Sequence, residues 1–261
     1  MRVALGLEFD GSLWRGWQFQ GHDPQTLQQV LQQALSQIAA EPVHLEAAGR
    51  TDAGVHATGM VAHFDSKAVR PMRAWVQGTN TCLPDSVAVQ WAQEVPADFH
   101  ARFKAEARRY RYLIYNHPTR PALGRWQMTW HYAPLDVERM AAAAQVLVGR
   151  HDFSAFRAAQ CQSRQPVRQV EHLTLQRRGR YILLDIQANG FLHHMVRNIV
   201  GVLLPVGEGR KPQEWVQTVL QSQDRRCAGL TAPAEGLYFV DVRYPPRFSL
   251  PQVPLGPALW A

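Results

Sequence analysis

Lysine is scarce in this chain of 261 residues, although the chain is basic. Lys and Arg number 28 together, of which three are Lys and therefore 25 are Arg, and the formal net charge is +7 with a pI of about 9.7. The planar guanidinium of arginine matches phosphate oxygens and stacks on bases, so this surplus is typical of proteins that bind nucleic acid. High-GC codon usage also replaces Lys with Arg, but it does not explain the excess of positive charge.

Cysteine and long apolar segments are scarce as well. Glu8 and Asp10 come too early for a secretory signal peptide. The longest apolar run, residues 199–206, is far too short to span a bilayer. The chain has three cysteines, which are widely spaced: Cys82, Cys161 and Cys227. This spacing excludes a disulfide framework and a C-x-x-C motif, and it favours a protein of the reducing cytoplasm.

Short strands and amphipathic helices alternate along the chain, which predicts an α+β fold of two similar sheet-and-helix lobes. Strands are predicted at 3–9, 42–48, 60–65, 86–92, 105–115, 170–176, 181–188 and 237–243. Helices are predicted at 24–39, 73–81, 135–147, 191–204 and 212–220. The expected division is an N-terminal lobe at 1–103, a C-terminal lobe at 104–244 and a proline-rich tail at 245–261, extended or disordered.

A loop at residues 49–57, GRTDAGVHA, is the strongest candidate for chemistry. It places one carboxylate, Asp52, two residues after Arg50, between glycines that permit a tight turn. The neighbouring guanidinium favours the ionised carboxylate, which a rigid loop could present as a nucleophile or base. The alternative is an Asx turn, in which Asp52 caps its own backbone and Arg50 is solvated.

Basic and aromatic residues are interleaved at the start of the second lobe. From 102 to 125 the chain carries seven basic residues and one acidic residue. On a strand, Tyr110 and Tyr112 share one face, and Arg109 and Arg111 share the other. One face then offers rings for stacking on bases, and the other offers guanidinium groups to phosphates or carboxylates. The alternative is that the tyrosines pack across strands and the arginines form a solvated face.

The segment 190–201, GFLHHMVRNIVG, combines a largely apolar helix with a positive charge. The pattern predicts Arg197 in mid-helix, one turn after His193 on the same face. A buried guanidinium is costly unless it meets an anion. That anion is either a structural carboxylate or Asp52, and the second choice predicts a site in a cleft between the lobes.

Several possible ligands raise a metal-binding alternative around Asp52: His56, His63, Asp65, His193 and His194. None of them reproduces a common ligand spacing, so no metal site is predicted. The sequence also has no G-x-x-x-x-G-K-[ST] or G-x-G-x-x-G motif, and nucleotide cofactors are therefore not indicated.

Five segments, taken together and in this order, resemble the tRNA pseudouridine synthase A family. They are 49–57 (GRTDAGVHA), 99–103 (FHARF), 109–112 (RYRY), 151–153 (HDF) and 190–201 (GFLHHMVRNIVG). The first and the last are highly specific, and the resemblance extends from the first strand to Tyr244. The proline-rich tail lies outside it.

The resemblance implies isomerisation of uridine to pseudouridine at positions 38, 39 and 40 of the tRNA anticodon stem-loop. It implies a cytoplasmic enzyme without metal or organic cofactor, acting on RNA rather than DNA and not bound to a membrane. It also implies a homodimer of subunits with two RRM-like (ferredoxin-like) lobes, in which one tRNA contacts both subunits.

Individual roles follow from the same resemblance. Asp52 matches the catalytic aspartate, which attacks or deprotonates the ribose so that the glycosidic bond breaks; the role expected of it is that of the nucleophile. Tyr110 matches the active-site tyrosine that stacks on the target base and assists removal of the C5 proton. Arg197 matches the arginine that pairs with the aspartate. Further contacts to the substrate are expected from Arg50, His193 and Leu237.

Two other functions compete with this interpretation. A non-catalytic RNA-binding protein or RNA chaperone on the same scaffold would still bind tRNA after Asp52→Ala, without any modification activity in either form. A metal-dependent hydrolase would lose its activity to a chelator, and its candidate ligands are Asp52, His56, His63 and Asp65.

Overall fold

The computed structural model describes residues 1–19 and 25–257. Within them the strands β1 to β10 are Arg2–Phe9, Glu46–Ala47, His56–Asp65, Val87–Val95, Ala107–Asn116, Thr129–His131, Gly149–Asp152, Val167–Arg178, Tyr181–Ala188 and Leu237–Arg243. The helices α1 to α5 are Leu27–Ala39, Thr79–Cys82, Val137–Ala144, Met195–Gly207 and Trp215–Ser222. The protein is therefore mixed α+β, as predicted, with mostly antiparallel pairing. None of the helices in the described ranges is long and apolar enough to cross a membrane.

The chain divides into two compact units, the first formed by residues 1–106 and 238–261. Its strands lie in the order β4, β1, β3 and β10, and β2 also pairs with β3. The strand β10 runs parallel to β3, with Tyr238 opposite His56. Leu27, Leu31 and Leu35, which helical spacing places on one face of α1, are fully buried. Pro24, the predicted start of this helix, lies outside the described residues.

The second unit spans Ala107–Leu237. Its strands lie in the order β6, β5, β9, β8 and β7, and only the pairing of β5 with β6 is parallel. The boundary at 106 is close to the expected 103. The sequence assigned β10 to the second lobe, however, whereas all of β10 after Leu237 clusters with the first unit. Order along the chain does not reveal this exchange, because it depends on pairing with β3, far away in sequence.

The proline-rich tail packs against the rest of the first unit at Phe248. Phe248 is 2% exposed, and its ring centroid lies 5.0 Å from that of Phe99. Its carbonyl accepts a hydrogen bond of 3.1 Å from Nε2 of Gln93. The sequence predicts an extended or disordered tail. The burial of Phe248 shows that proline, which fixes φ, does not prevent a neighbouring ring from packing. Residues 258–261 lie outside the described part of the chain.

Helix α4 begins at Met195 instead of at the predicted residue 191. His194 adopts a left-handed conformation with φ of +61°, so the helix starts only after it. Arg197 therefore lies in the first turn of the helix and not in its middle. His193 precedes the helix, and the predicted spacing of one helical turn between these two side chains is wrong.

Two short strands, β6 and β7, were not predicted. They contain three and four residues respectively, too few for an alternating pattern to be recognised. The first of them, β6, takes its strand conformation from parallel pairing with the end of β5.

His63 on β3 is a buried histidine whose surroundings predict a pH-dependent stability of the first unit. It is 5% exposed, and its Nδ1 accepts a hydrogen bond of 3.3 Å from the amide of Ala101. Burial, followed by repulsion from His100, lowers the pKa of His63 to about 4. An unfolded histidine has a pKa of about 6.5, so the unfolded state binds the proton more tightly.

We therefore expect stability that is fully present above pH 6.5 to be lost as the pH falls toward 4, by up to about 3 kcal/mol from this group. His63→Gln keeps a hydrogen-bond acceptor but does not titrate, and should flatten the dependence of Tm on pH over this interval. His44→Gln, at an exposed position of the same unit, serves as the control. Equal slopes for the wild type and the His63 variant would contradict the assignment.

Candidate active site

The loop between β2 and β3 carries Asp52. Asp52 is half-buried, and its neighbour Thr51 is only 7% exposed. The carbonyl of Asp52 accepts a hydrogen bond of 3.2 Å from the amide of Val55. Gly54 within this turn has a φ of +80°, which explains the glycine at this position. Arg50 is exposed at the start of the loop, where its guanidinium can reach a polyanion.

A second segment, residues 11–17, holds the Asp52 loop on both sides. The amide of Trp17 donates to the carbonyl of Thr51 at 2.9 Å. The amide of Gly54 donates to the carbonyl of Trp14 at 3.3 Å. Because these bonds bracket Asp52, they orient its carboxylate through the backbone. We call residues 11–17 the loop clamp.

Two glycines allow the clamp to lie this close to the loop. A Cβ on Gly16, whose φ is +93°, would lie 2.7 Å from the carbonyl oxygen of Thr51. A Cβ on Gly11 would lie 1.9 Å from the carbonyl oxygen of Val55. The sequence analysis interpreted this region only as a turn after the first strand. Gly11 and Gly16, on either side of Trp14, were the sequence signal for a close backbone contact. Their spacing does not identify the segment that they contact.

Three of the candidate metal ligands, His56, His63 and Asp65, make other contacts within the first unit. Nδ1 of His56 accepts a hydrogen bond of 3.0 Å from the amide of Gly11, and its ring stacks on Tyr238 at 4.8 Å. Asp65 forms a bidentate ion pair with Arg2, at 2.8 and 2.7 Å. No three of the four candidate ligands, all of which the structure describes, place their donor atoms within 4.8 Å of one another: Asp52, His56, His63 and Asp65. They do not form the ligand set that the hydrolase hypothesis requires.

In the second unit, Tyr110 on β5 is half-buried and packs against the ring of Phe191. The two rings meet edge to face, with centroids 4.9 Å apart and planes at 79°. This contact fixes the orientation of Tyr110 while leaving part of the ring accessible. Tyr112, two residues farther on the same face, is instead fully buried and bonds through its hydroxyl to the carbonyl of Pro233. The two tyrosines that looked equivalent in sequence thus differ in their surroundings.

The arginines on the opposite face of β5 bind a carboxylate of their own unit. Nε of Arg109 and Nε of Arg111 each donate to Asp185 at 2.7 Å, and Nε2 of His172 lies 3.0 Å from the same carboxylate. Burial raises the pKa of Asp185, but the hydrogen bonds from these three groups outweigh burial and hold it below its usual value. Of the roles considered from sequence, carboxylate binding is the one found. Asp185 itself was missed because it lies about 75 residues away along the chain.

Arg197 is held in place by the backbone of a distant segment. Its Nε donates to the carbonyl of Ala232 at 2.8 Å, and the amide of Ala232 donates to the carbonyl of Arg197 at 3.1 Å. Gly201, one turn later, would place a Cβ 1.8 Å from the carbonyl oxygen of Leu230, so only glycine permits this approach. The half-buried guanidinium is therefore directed by α4 and residues 230–232 together.

A buried amide next to Arg197 supports this arrangement. Asn198 is fully buried, and its Nδ2 donates to the carbonyl of Phe156 at 2.7 Å. Its Oδ1 accepts from the hydroxyl of Thr231 at 2.7 Å and from Nη2 of Arg225 at 3.1 Å. Sequence reasoning missed this network. The polar residue in an apolar helix was the signal, but its partners come from two distant loops.

His193 and Leu237, the remaining candidates of this unit, are positioned by backbone contacts. The carbonyl of His193 accepts from the amide of Ala158 at 3.0 Å, and its amide donates to Sγ of Cys161 at 3.5 Å. Leu237 is 6% exposed and donates its amide to the carbonyl of Ala234 at 2.9 Å. Both residues are therefore held in defined positions.

Comparisons with a family model and with individual known proteins point to the same family. A family model described as tRNA pseudouridine synthase matches residues 7–104 and 143–245. The chain is 56% identical over 256 residues to tRNA pseudouridine synthase A of Pseudomonas aeruginosa, covering 98% of this chain and 90% of that protein. It is 56% identical to the protein of that name from Acinetobacter baylyi (98% and 94% covered) and 54% identical to that of Citrobacter koseri (100% and 96%).

The loop clamp generates a prediction that can be tested without an activity assay. Gly16→Ala should lower the free energy of unfolding by about 2–4 kcal/mol, because it combines a disfavoured φ with a clash against the carbonyl of Thr51. Hydrogen exchange at the amides of Trp17 and Gly54 should become faster as the clamp loosens.

Gly209→Ala is the matched control, because Gly209 also has a positive φ, of +75°, but no heavy atom of the described residues lies within 4 Å of the position that its Cβ would take. This variant should lose only the backbone contribution, about 1–2 kcal/mol. Equal losses in the two variants, with unchanged exchange in the loop, would show that the clamp does not hold Asp52.

Proposed function

The chain belongs to the tRNA pseudouridine synthase family of isomerases, and from this premise we propose that it converts uridine to pseudouridine at positions 38, 39 and 40 of the tRNA anticodon stem-loop. The observation that carries the proposal is the half-buried carboxylate of Asp52, on a loop held by backbone hydrogen bonds on both sides. A carboxylate fixed in this way meets the main requirement of a nucleophile, which is a defined direction of attack.

We assign Asp52 the role of nucleophile. Its attack forms a bond between a carboxylate oxygen and C1′ of the ribose as the bond between C1′ and N1 of uracil breaks. The uracil then turns within the pocket, and C5 bonds to C1′ as the carboxylate leaves. The proton on C5 is lost, and N1 gains a proton. The isomerisation needs no redox equivalent and no energy input, so we propose that it proceeds without a metal or an organic cofactor.

Tyr110 is proposed to stack on the target base. The edge-to-face contact with Phe191 supports this role, because a ring already fixed in orientation loses little entropy on binding. Stacking of a base on an aromatic ring contributes about 1–3 kcal/mol. The hydroxyl of Tyr110 is proposed to assist removal of the C5 proton.

The remaining site residues are assigned the roles that the family resemblance implies. Arg197 is assigned to pair with Asp52, and its support by the carbonyl of Ala232 is consistent with a fixed position. Arg50, exposed at the start of the catalytic loop, is assigned to the RNA backbone beside the flipped nucleotide. His193 and Leu237 are assigned to contacts with the target nucleotide.

The substrate is proposed to be recognised mainly by shape and charge. Flipping a nucleotide out of a stack costs a few kcal/mol and is cheapest near loops and helix ends, where positions 38 to 40 lie. A basic, arginine-rich protein can hold the phosphate backbone without reading the sequence, so affinity should fall steeply with salt. This mode of recognition suits an enzyme that acts on neighbouring uridines.

The proposal extends to the arrangement of the lobes and to the oligomeric state. We propose that the two units correspond to the RRM-like lobes of the family, with the cleft between them as the site of reaction. A cytoplasmic homodimer in which one tRNA, and no DNA, contacts both subunits is likewise proposed on the family resemblance.

The nucleophile assignment predicts that Asp52→Asn will lose turnover while still binding tRNA. With unmodified tRNA carrying tritium at uracil C5, and with EDTA present, we expect tritium release to fall on the order of 10³-fold or more. Asp85→Asn, which removes an exposed carboxylate of the same unit, should behave as the wild type.

Normal turnover by the Asp52 variant would refute its role as the nucleophile. If neither the wild type nor the variant released tritium although both bound tRNA, the non-catalytic RNA-binding alternative would be supported. Loss of wild-type activity on addition of EDTA would support the metal-dependent alternative.

Two substitutions separate the proposed roles of Tyr110. Tyr110→Phe keeps the ring against Phe191 and removes the hydroxyl, so we expect KM to be retained while kcat falls about 10²-fold. Tyr110→Ala also removes the ring and should raise KM as well, since stacking on the base is lost. A kcat for Tyr110→Phe equal to that of the wild type would exclude a role for the hydroxyl in proton transfer.

A further inference from the structure

We propose that an aromatic surface on the sheet of the second unit, formed by Tyr115, Trp130, Tyr132 and Tyr181, binds unpaired bases of the tRNA other than the target uridine. We call it the aromatic platform. It rests on the proposed function in that tRNA is the substrate, and it adds a binding surface formed by residues outside the proposed catalytic set.

Strand pairing places these rings side by side. Tyr181 on β9 is opposite Tyr115 on β5, and Tyr115 is next to Trp130 on β6. Residues paired in this way project from the same face of a sheet. The centroids of Tyr115 and Tyr181 lie 5.6 Å apart. Three aromatic side chains thus form one row across three neighbouring strands.

A second row extends the platform beyond the ends of β5 and β6. Tyr132 lies two residues after Trp130, with ring centroids 6.4 Å apart. His117 lies two residues after Tyr115, with centroids 5.8 Å apart. The same face carries the buried Leu113, so the platform extends from the packed part of this sheet to the exposed rings of Trp130 and Tyr132.

The rings divide into a supporting part and an accessible part. Tyr115 is 8% exposed, whereas Trp130 is 42% and Tyr132 is 68% exposed. Nε1 of Trp130 donates to the carbonyl of His117 at 2.8 Å, and Nη1 of Arg180 donates to the hydroxyl of Tyr115 at 3.2 Å. Because these bonds already restrain the rings, stacking a base on Trp130 costs little side-chain entropy.

The surrounding charge favours a polyanion. Nη1 of Arg180 donates to the hydroxyl of Tyr115, which places one guanidinium at the margin of the platform. The turn between β8 and β9 adds a basic group to the same row, because Arg178 is opposite Tyr181. Exposed rings next to arginines are the combination that binds single-stranded nucleic acid through stacking and phosphate contacts.

The same charge disfavours a second copy of this chain on the platform. A twofold symmetric contact would place the patch against itself, so the arginines at its margin would face arginines. Like charges brought together in an interface oppose association. RNA is therefore the occupant that the chemistry of this surface supports.

The test is the affinity for unmodified tRNA at one fixed salt concentration. Trp130→Ala should weaken binding by about 5- to 150-fold, the equivalent of about 1–3 kcal/mol of base stacking. Trp130→Phe keeps a ring for stacking and should recover most of the affinity. Val69→Ala removes a side chain that is 89% exposed in the first unit, and should leave binding and tritium release unchanged.

Affinity of Trp130→Ala equal to that of the wild type would overturn the proposal, and so would equal losses in the alanine and phenylalanine variants. Sedimentation of the same proteins tests whether a second copy of this chain occupies the platform instead. A shift of Trp130→Ala toward a smaller species, without a change in tRNA affinity, would assign the platform to contact between copies. Binding is measured without turnover. A wild type that binds tRNA through the platform but releases no tritium would therefore contradict the proposed function and not this inference.

Discussion

The position of Asp52 depends on two backbone hydrogen bonds that join the loop clamp to the loop of residues 49–57. The carbonyl of Thr51 and the amide of Gly54, on either side of the carboxylate, are both occupied by the segment around Trp14 and Trp17. Backbone bonds of this kind do not depend on side-chain rotamers, so they hold the loop without restricting access to the carboxylate. The requirement for glycine at position 16 follows from the same close approach.

The second unit positions its functional groups by a similar use of backbone carbonyls. Arg197 donates to Ala232, and the buried Asn198 ties the same helix to the loops around Phe156 and Thr231. Preorganisation of this kind matters most for charged groups, because a guanidinium that is already oriented needs no reorganisation when a negative charge develops. In both units, then, a glycine-permitted contact between segments far apart in sequence holds a charged side chain.

The two faces of β5 show how tertiary pairing assigns different tasks to similar residues. Arg109 and Arg111 neutralise Asp185, so their charge is largely used within the unit. Farther along the same face, the rings of Tyr115 and Trp130 replace the charges, and the exposed part of the surface becomes aromatic. Alternation along a strand predicts which residues share a face, but the strands that pair with it determine what that face contacts.

The sequence by itself determined the α+β class, most strands, the hairpin of β8 and β9, and the presence of Asp52 on a glycine-bounded loop, because alternation and glycine act locally. It did not determine where α4 begins, since the positive φ of His194 is imposed by its surroundings. Nor did it determine the partner of Arg109, the burial of Phe248 or the pairing of β10 with β3. These depend on contacts between residues distant in sequence, and only the tertiary structure decides which distant groups meet.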